Sequence, residues 1–221
     1  MDTVKLSAFR WVPPVAQGLV RDLRVRWALE EAGLPYDERL IGFEDQNAEW
    51  YRKLQPFGQV PAIESDGSVL FESGAIVMDI AETAEALMPP GRHGRALVRT
   101  WVFAALNTVE PPILMLSLVD RQPATSREGL RALRDTVMER VQSRLDSLAA
   151  FLGGREHLVA DRFTAADLLM TTVLRILRDT DVLGKTPALD AYRRRGESRP
   201  AFQKALAAQL KTFATHAPPG A

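Results

Sequence analysis

The segment from Phe57 to Ile76 contains residues suited to holding a charged ligand. Glu72 and Ser73 stand directly before a run with helical periodicity, where free N–H groups and the positive end of the helix dipole favour an anion. There, Ser73 is suited to bind a carboxylate through its N–H and hydroxyl, and Glu72 to pair with an ammonium group. Taken alone, however, the position of Ser73 favours an ordinary helix N-cap.

Val60 and Pro61 form a second motif in the same segment. Pro61 has no N–H, so in a sheet it belongs at an edge or at the start of a strand. If the Val60–Pro61 peptide bond is cis, the N–H and C=O of Val60 point outward, and an extended peptide can pair with them. Taken alone, a trans proline in a loop is the ordinary expectation, because cis bonds make up only about 5–6% of X-Pro bonds.

Strands and helices in alternation surround these motifs. Four-residue spacing predicts a helix from Leu19 to Ala32, which Gly33 and Pro35 end. Strands are predicted at Val4 to Ala8, Tyr36 to Ile41, Val60 to Glu64 and Val69 to Phe71, with a short helix at Gln46 to Leu54, an Asp66–Gly67 turn in the hairpin and a helix after Glu72–Ser73. This order indicates an α/β domain at residues 1–88, with a mixed sheet and helices on both faces.

After a linker at residues 89–95, the patterns are helical and include no convincing strand. The predicted helices are Arg95 to Leu118 with a bend at Pro111–Pro112, Arg127 to Leu152, Thr164 to Leu177, Pro187 to Arg194 and Pro200 to Phe213. Thr164 and Asp167 are interpreted as a capping box, which is a structural role. Residues 96–221 are therefore predicted to form an all-helical domain.

The composition excludes several classes of function. The chain has 28 basic and 28 acidic residues and no cysteine, which argues against a general attraction to nucleic acid and excludes disulfides and enzyme thiols. His93, His157 and His216 lack metal-ligand spacing, so no metal site is expected. No apolar run approaching the ~20 residues of a membrane span and no secretory leader are recognised, so a cytoplasmic protein is expected.

Three segments of the chain resemble the glutathione transferase family. They are RVRWALEEAGLPYD at Arg24 to Asp37, PFGQVPAIESDGSVLFESGAI at Pro56 to Ile76, and VADRFTAADLLM at Val159 to Met170. The second is the most specific, because turn, proline and Glu-Ser fall in the family's order and spacing. The resemblance implies a thioredoxin-like domain followed by a helical bundle.

The resemblance also implies glutathione as a substrate and assigns roles to five residues. Val60 would pair with the cysteinyl unit beside a cis Pro61, Ser73 would bind the γ-glutamyl carboxylate, and Glu72 would bind its ammonium group. Gln59 would reach the glycyl carboxylate, unless it is an exposed turn residue. A homodimer is implied, and no metal or redox cofactor.

The chain departs from the family where glutathione's thiol would be activated. The family usually has a Tyr, Ser or Cys just after the first strand, and the loop between Ala8 and Leu23 contains none. Ser7 is expected inside the strand. Three alternatives stay open: a guanidinium from Arg10 or Arg21, the N–H groups around Gln17 to Leu19, or no activation at all. Both arginines are equally well explained as solvated surface charges.

Three functions are therefore weighed. The first is an enzyme that adds glutathione's thiolate to a small apolar electrophile, with Arg10 as the candidate catalytic residue. Phe9, Trp11 and Trp101 are candidates to line the electrophile's pocket, although aromatic residues at such places are more often core. The second is a non-catalytic binding or scaffold protein. The third, a thiol-disulfide or dehydroascorbate reductase, is disfavoured because that chemistry needs an enzyme thiol.

Overall fold

The structure is a computed structural model that describes residues 3–220, and the chain divides into two compact units. The first unit combines the residues up to 88 with those from 198 onward, and the second spans residues 89–197. The sequence patterns predict residues 198–221 to belong to the helical domain instead. The structure differs because the helix at Pro200–Thr215 packs against the helix at Asp22–Ala32 in the first unit.

The first unit is built on a four-stranded sheet in the order β2-β1-β3-β4. The strands are β1 Val4–Phe9, β2 Tyr36–Ile41, β3 Ala62–Ser65 and β4 Ser68–Phe71. β1 and β2 are parallel, whereas β3 runs antiparallel to both of its neighbours. The predicted mixed sheet is confirmed. β3 begins at Ala62 rather than Val60, because Pro61 has no N–H to donate to a ladder.

Helices make up most of the remaining described chain. They are α1 Asp22–Ala32, α2 Glu49–Arg52, α3 Ser73–Thr83, α4 Arg92–Phe103, α5 Glu110–Asp120, α6 Ala124–Arg127, α7 Arg131–Leu152, α8 Ala165–Leu174, α9 Pro187–Glu197 and α10 Pro200–Thr215. A thioredoxin-like sheet domain with a helical second unit is the fold that the sequence predicts. α4 begins inside the predicted linker.

α1 ends as predicted but begins later than the predicted Leu19. Gly18 has a φ of 73°, and the Leu19 N–H donates to the Ala16 carbonyl, so the chain forms turns before it enters the helix. At the other end, Gly33 takes the left-handed cap with a φ of 66°. α1 packs on β1, α3 and α10, so residues 22–29 are buried.

This burial forces charged side chains of α1 to find partners inside the unit. Arg26, which is fully buried, bonds Asp22 at 2.7 Å and also contacts Glu38. Burial raises the pKa of Asp22, and the Arg26 charge opposes that rise. The Thr212 hydroxyl of α10 donates to Glu38 at 2.8 Å. A buried polar network therefore joins α1, β2 and α10.

The second unit is organised around α8, which is buried along its whole length. α4 and α9 pack on α8, and α5 packs on α7. The Asp167 carboxylate accepts hydrogen bonds from the Thr164 N–H at 2.9 Å, the Leu158 N–H at 2.9 Å and the Tyr192 hydroxyl at 2.8 Å. The capping role predicted for Thr164 and Asp167 is confirmed.

One helical stretch in this unit is more apolar than the sequence patterns predict. By length and composition alone, Arg92–Asp120 is long and apolar enough to cross a membrane, so the expectation that no apolar run approaches that length is wrong. The stretch turns π-helical at Ala104–Val109, just before Pro111 and Pro112, which have no N–H to donate. α4 and α5 bury one side against α8 and α7. That the protein does not enter membranes stays a prediction.

Candidate functional site

The register of the β3–β4 hairpin brings the two predicted motifs to one end of the sheet. Ala62 pairs with Phe71 at the open end of the hairpin. The segment that precedes Ala62 and the segment that follows Phe71 therefore leave the hairpin side by side. β1 runs antiparallel to β3 with Leu6 opposite Ile63, so its last residue, Phe9, points to the same end.

At this end of the sheet, the Val60–Pro61 peptide bond is cis. The Val60 side chain is buried in a cluster with Ile41 and Tyr51, and Phe9, Val20 and Leu54 pack against that cluster. We call these six residues the Val60 cluster. The backbone of Val60 lies outside the ladder, and among the hydrogen bonds of residues 3–220 none engages its N–H or C=O. Val60 therefore has an anchored side chain and a backbone able to pair with an extended ligand.

The Gln59 carbonyl is fixed from the inside by Tyr51. The Tyr51 hydroxyl donates to it at 2.6 Å, and the Gln59 side chain is exposed. Just before it, the Gly58 carbonyl accepts from Gln46 Nε2 at 2.8 Å. The side chains of Gln46 and Tyr51 therefore hold the segment Gly58–Gln59 in place through its backbone carbonyls.

Glu72 and Ser73 occupy the start of α3. Glu72 precedes the helix with a φ of 71°, a conformation uncommon for a non-glycine residue that costs on the order of 1–3 kcal/mol. Its side chain is exposed. Ser73 is the first helical residue and is buried, and its hydroxyl accepts a hydrogen bond from Arg24 Nη1 at 3.3 Å. Since the hydroxyl oxygen accepts from Arg24, its own hydrogen is left to donate to an anion.

The structure closes one of the three alternatives for thiol activation. The N–H groups of Gln17, Gly18 and Leu19 all donate within the protein, to Pro14 O at 3.2 Å, Gln209 Oε1 at 3.1 Å and Ala16 O at 3.0 Å. The idea that these N–H groups stabilise a thiolate is therefore wrong for this conformation.

Arg10, the candidate catalytic residue, follows β1 and is exposed. Its guanidinium contacts Glu44 at 3.2 Å and Asp45 at 3.2 Å. These two carboxylates offset the positive charge that a thiolate would need. Arg21 lies half-buried, directly before α1.

The hydroxyl groups near the end of β1 are also engaged. Ser7 is buried within the strand, as expected, and its side chain hydrogen-bonds Tyr51. Burial raises the pKa of Tyr51 to about 12. Tyr51 therefore stays protonated at neutral pH, and its proton is directed at Gln59 rather than at a ligand thiol.

The three residues proposed for an electrophile pocket lie in different units. Phe9 is half-buried against Phe43, with ring centroids 5.0 Å apart, and Trp11 is half-buried in the loop that follows. Trp101 belongs to the second unit, where the centroid of its ring lies 4.3 Å from the centroid of the Phe151 ring. A shared pocket for Phe9, Trp11 and Trp101 stays a prediction.

Sequence reasoning missed Arg24 and Tyr51 as parts of this site. Arg24 contacts Ser73, which is distant in sequence, and Tyr51 contacts Gln59 across a loop. The spacing of these residues along the chain does not predict either contact. A tyrosine in a short helix is ordinarily read as a core residue, and an arginine on a longer helix as a surface residue.

Comparison with known proteins identifies both units of the chain. The family model described as the N-terminal domain of glutathione S-transferase matches residues 23–83, and the one for its C-terminal domain matches residues 106–200. Together the two models match more than half of the chain.

Individual relatives agree with the family models. Glutathione S-transferase 4 from Zea mays is 27% identical over 92% of this chain and 93% of its own length. Glutathione S-transferase alpha-2 from Rattus norvegicus is 30% identical over 82% of this chain and 81% of its own. The crystal structure of glutathione transferase URE2P8 from Phanerochaete chrysosporium with oxidized glutathione shares the fold, with a TM-score of 0.79 at 20% identity over 97% of this chain and 98% of that one.

The geometry before Gln59 predicts the outcome of a glycine substitution. A Cβ on Gly58, whose φ is 65°, would lie 2.3 Å from the Gln46 carbonyl oxygen. We expect Gly58→Ala to lower the free energy of unfolding by about 2–3 kcal/mol, measured by urea denaturation. Gly67→Ala is the matched control, since Gly67 has a φ of 73° and open space around it. Its expected loss is only about 1 kcal/mol, and equal losses would contradict the assigned crowding.

Proposed function

The chain belongs to the glutathione S-transferase family, and from this premise we propose that it binds glutathione and adds its thiolate to a small apolar electrophile. The observation that carries the proposal is the hairpin register, which brings the Val60–Pro61 and Glu72–Ser73 segments out at one end of the sheet. A tripeptide with an extended backbone and two charged ends suits such a site.

Each end of glutathione has a proposed partner. The cysteinyl unit pairs with the backbone of Val60 beside Pro61, and the Gln59 side chain reaches the glycyl carboxylate. The γ-glutamyl carboxylate lies on the start of α3, where the Ser73 hydroxyl donates to it and Arg24 adds positive charge behind that hydroxyl. The exposed Glu72 carboxylate pairs with the γ-glutamyl ammonium. The crystal structure of URE2P8, a protein of the same fold, contains oxidized glutathione, which supports a ligand of this class.

The reaction needs a group that favours the thiolate. Lowering the thiol pKa by two units needs about 2.7 kcal/mol of differential stabilisation. Arg10 is the proposed source, because it follows β1 at the end of the sheet where Val60 lies. Its guanidinium has to exchange part of its contact with Glu44 and Asp45 for the thiolate.

A specific observation favours a second candidate function. The N–H groups of Gln17 to Leu19 are engaged, the Arg10 charge is offset, and the loop between β1 and α1 contains no Tyr, Ser or Cys. A protein with an intact glutathione site and no activating group is a binding or scaffold member of the family. The chain has no cysteine, so a reductase that depends on an enzyme thiol is not proposed.

The remaining expectations follow from the same premise. We propose that the electrophile contacts Phe9, Trp11 and Trp101, and that the protein acts in the cytoplasm in the removal of reactive compounds. We also propose a homodimer. Exposed apolar side chains such as Phe57, at 64% exposure, and Phe103, at 62%, offer surface for subunit contact.

Removing the Ser73 hydroxyl tests the binding site. Ser73→Ala should raise the dissociation constant for glutathione about tenfold, because the bound carboxylate loses one charge-assisted donor. Intrinsic tryptophan fluorescence during a glutathione titration measures it. Ser68→Ala, at an exposed position of the same hairpin, is the control and should bind like the parent. Unchanged affinity in Ser73→Ala would contradict the assigned role.

The pKa of the bound thiol separates the enzyme from the scaffold. Ultraviolet absorbance of the thiolate, recorded against pH on the glutathione complex, should give a pKa about two units below that of free glutathione if the protein is an enzyme. Arg10→Gln should then raise that pKa, and the double variant Glu44→Gln, Asp45→Asn should lower it further by freeing Arg10. An ordinary pKa in all three proteins would support the scaffold, and no binding at millimolar glutathione would refute both.

A further inference from the structure

Gln209 of α10 reaches across the first unit to the turn that leads into α1. It is fully buried, and its amide group makes three hydrogen bonds. Oε1 accepts from the Gly18 N–H at 3.1 Å, while Nε2 donates to the Val20 carbonyl at 3.3 Å and to Asp22 Oδ1 at 2.7 Å. One side chain near the end of the chain therefore satisfies three polar groups of a turn near its beginning.

The turn is shaped locally by Gly18, with a φ of 73°, and by the hydrogen bond from the Leu19 N–H to the Ala16 carbonyl. Gln209 adds hydrogen bonds that join this turn to α10. Without Gln209, the buried Gly18 N–H would lose its described partner and Asp22 would lose one of its two donor side chains. Buried polar groups left unpaired destabilise the conformation that buries them, so the turn would shift.

Val20 connects this turn to the proposed glutathione site. Its side chain packs in the Val60 cluster, and Tyr51 of that cluster donates to the Gln59 carbonyl at 2.6 Å. Protein interiors are close-packed, so a displacement of Val20 disturbs the packing of the cluster that holds the Val60 side chain. The contacts run from Gln209 through Val20 to the Val60 cluster, all within the first unit.

We propose that Gln209 is a positioning residue for the glutathione-binding segment Gln59–Val60, and that α10 is in this way part of the binding site. The inference rests on the proposed glutathione site. It differs from a merely structural role of α10, in which any loss of anchoring would act on stability alone. A second anchor of the same helix allows the two roles to be told apart.

The matched pair of variants is Gln209→Leu and Thr212→Val. Thr212 is also buried on α10, but its hydroxyl donates to Glu38 on β2 rather than to the turn. Gln209→Leu should raise the dissociation constant for glutathione about tenfold, whereas Thr212→Val should change it less than about twofold. The urea midpoint of each variant is measured beside its affinity. Equal changes in affinity at equal losses of stability would overturn the proposal.

If Gln209→Leu does not fold, Gln209→Asn replaces it. The asparagine keeps the amide group but is one methylene too short to bond all three partners of Gln209. Its affinity and urea midpoint are compared with those of Thr212→Val in the same way. The backbone amide chemical shifts of Gln59 and Val60 in the ligand-free protein separate this inference from the glutathione proposal. Shifts that change in the Gln209 variant alone support the positioning role even if the parent binds no glutathione, and shifts that stay unchanged or change equally in both variants contradict it.

Discussion

The pairing of Ala62 with Phe71 is the constraint on which the candidate site depends. It places the residues before β3 and after β4 together, although a turn and two strands separate them in sequence. One of these segments offers a backbone for strand-like pairing, and the other offers the start of a helix. Neither feature alone indicates a ligand, but at one end of a sheet they match a short peptide with charged ends.

The same region shows how the protein uses its polar groups before any ligand arrives. The Tyr51 hydroxyl donates a hydrogen bond to the Gln59 carbonyl, and the Gln209 side chain accepts one from the Gly18 N–H. Arg10 faces Glu44 and Asp45. These contacts fix the segments around the candidate site, and the groups that they engage are already paired and do not face a thiolate. Binding of glutathione and activation of its thiol therefore depend on different groups of this chain.

Much of the fold could be predicted because its signals are local. Gly33 ends α1, Asp66 and Gly67 make the hairpin turn, and Thr164 with Asp167 caps α8, each through contacts within a few residues. The candidate glutathione-binding motifs are predictable in the same way, because residue type and spacing within one segment carry them.

Contacts between distant segments explain what the sequence could not predict. The start of α1 was placed too early, because Gly18 is held by Gln209, 191 residues away. α10 was assigned to the wrong neighbours, because the partners of Gln209 and Thr212 lie on α1, its preceding turn and β2. The spacing of these residues does not predict that Gln209 pairs with Asp22 or that Thr212 pairs with Glu38. Both pairs form because folding buries the two carboxylates, which then need hydrogen-bond donors.

The central claim is that the Val60 backbone and the start of α3 bind glutathione together. The most direct test is a titration of the isotope-labelled protein with glutathione, followed by the backbone amide resonances in nuclear magnetic resonance spectra. We expect the resonances of Val60 and Ser73 to shift most and to saturate at the same glutathione concentration. Saturable shifts elsewhere with these two unchanged, or no shifts at millimolar glutathione, would contradict it.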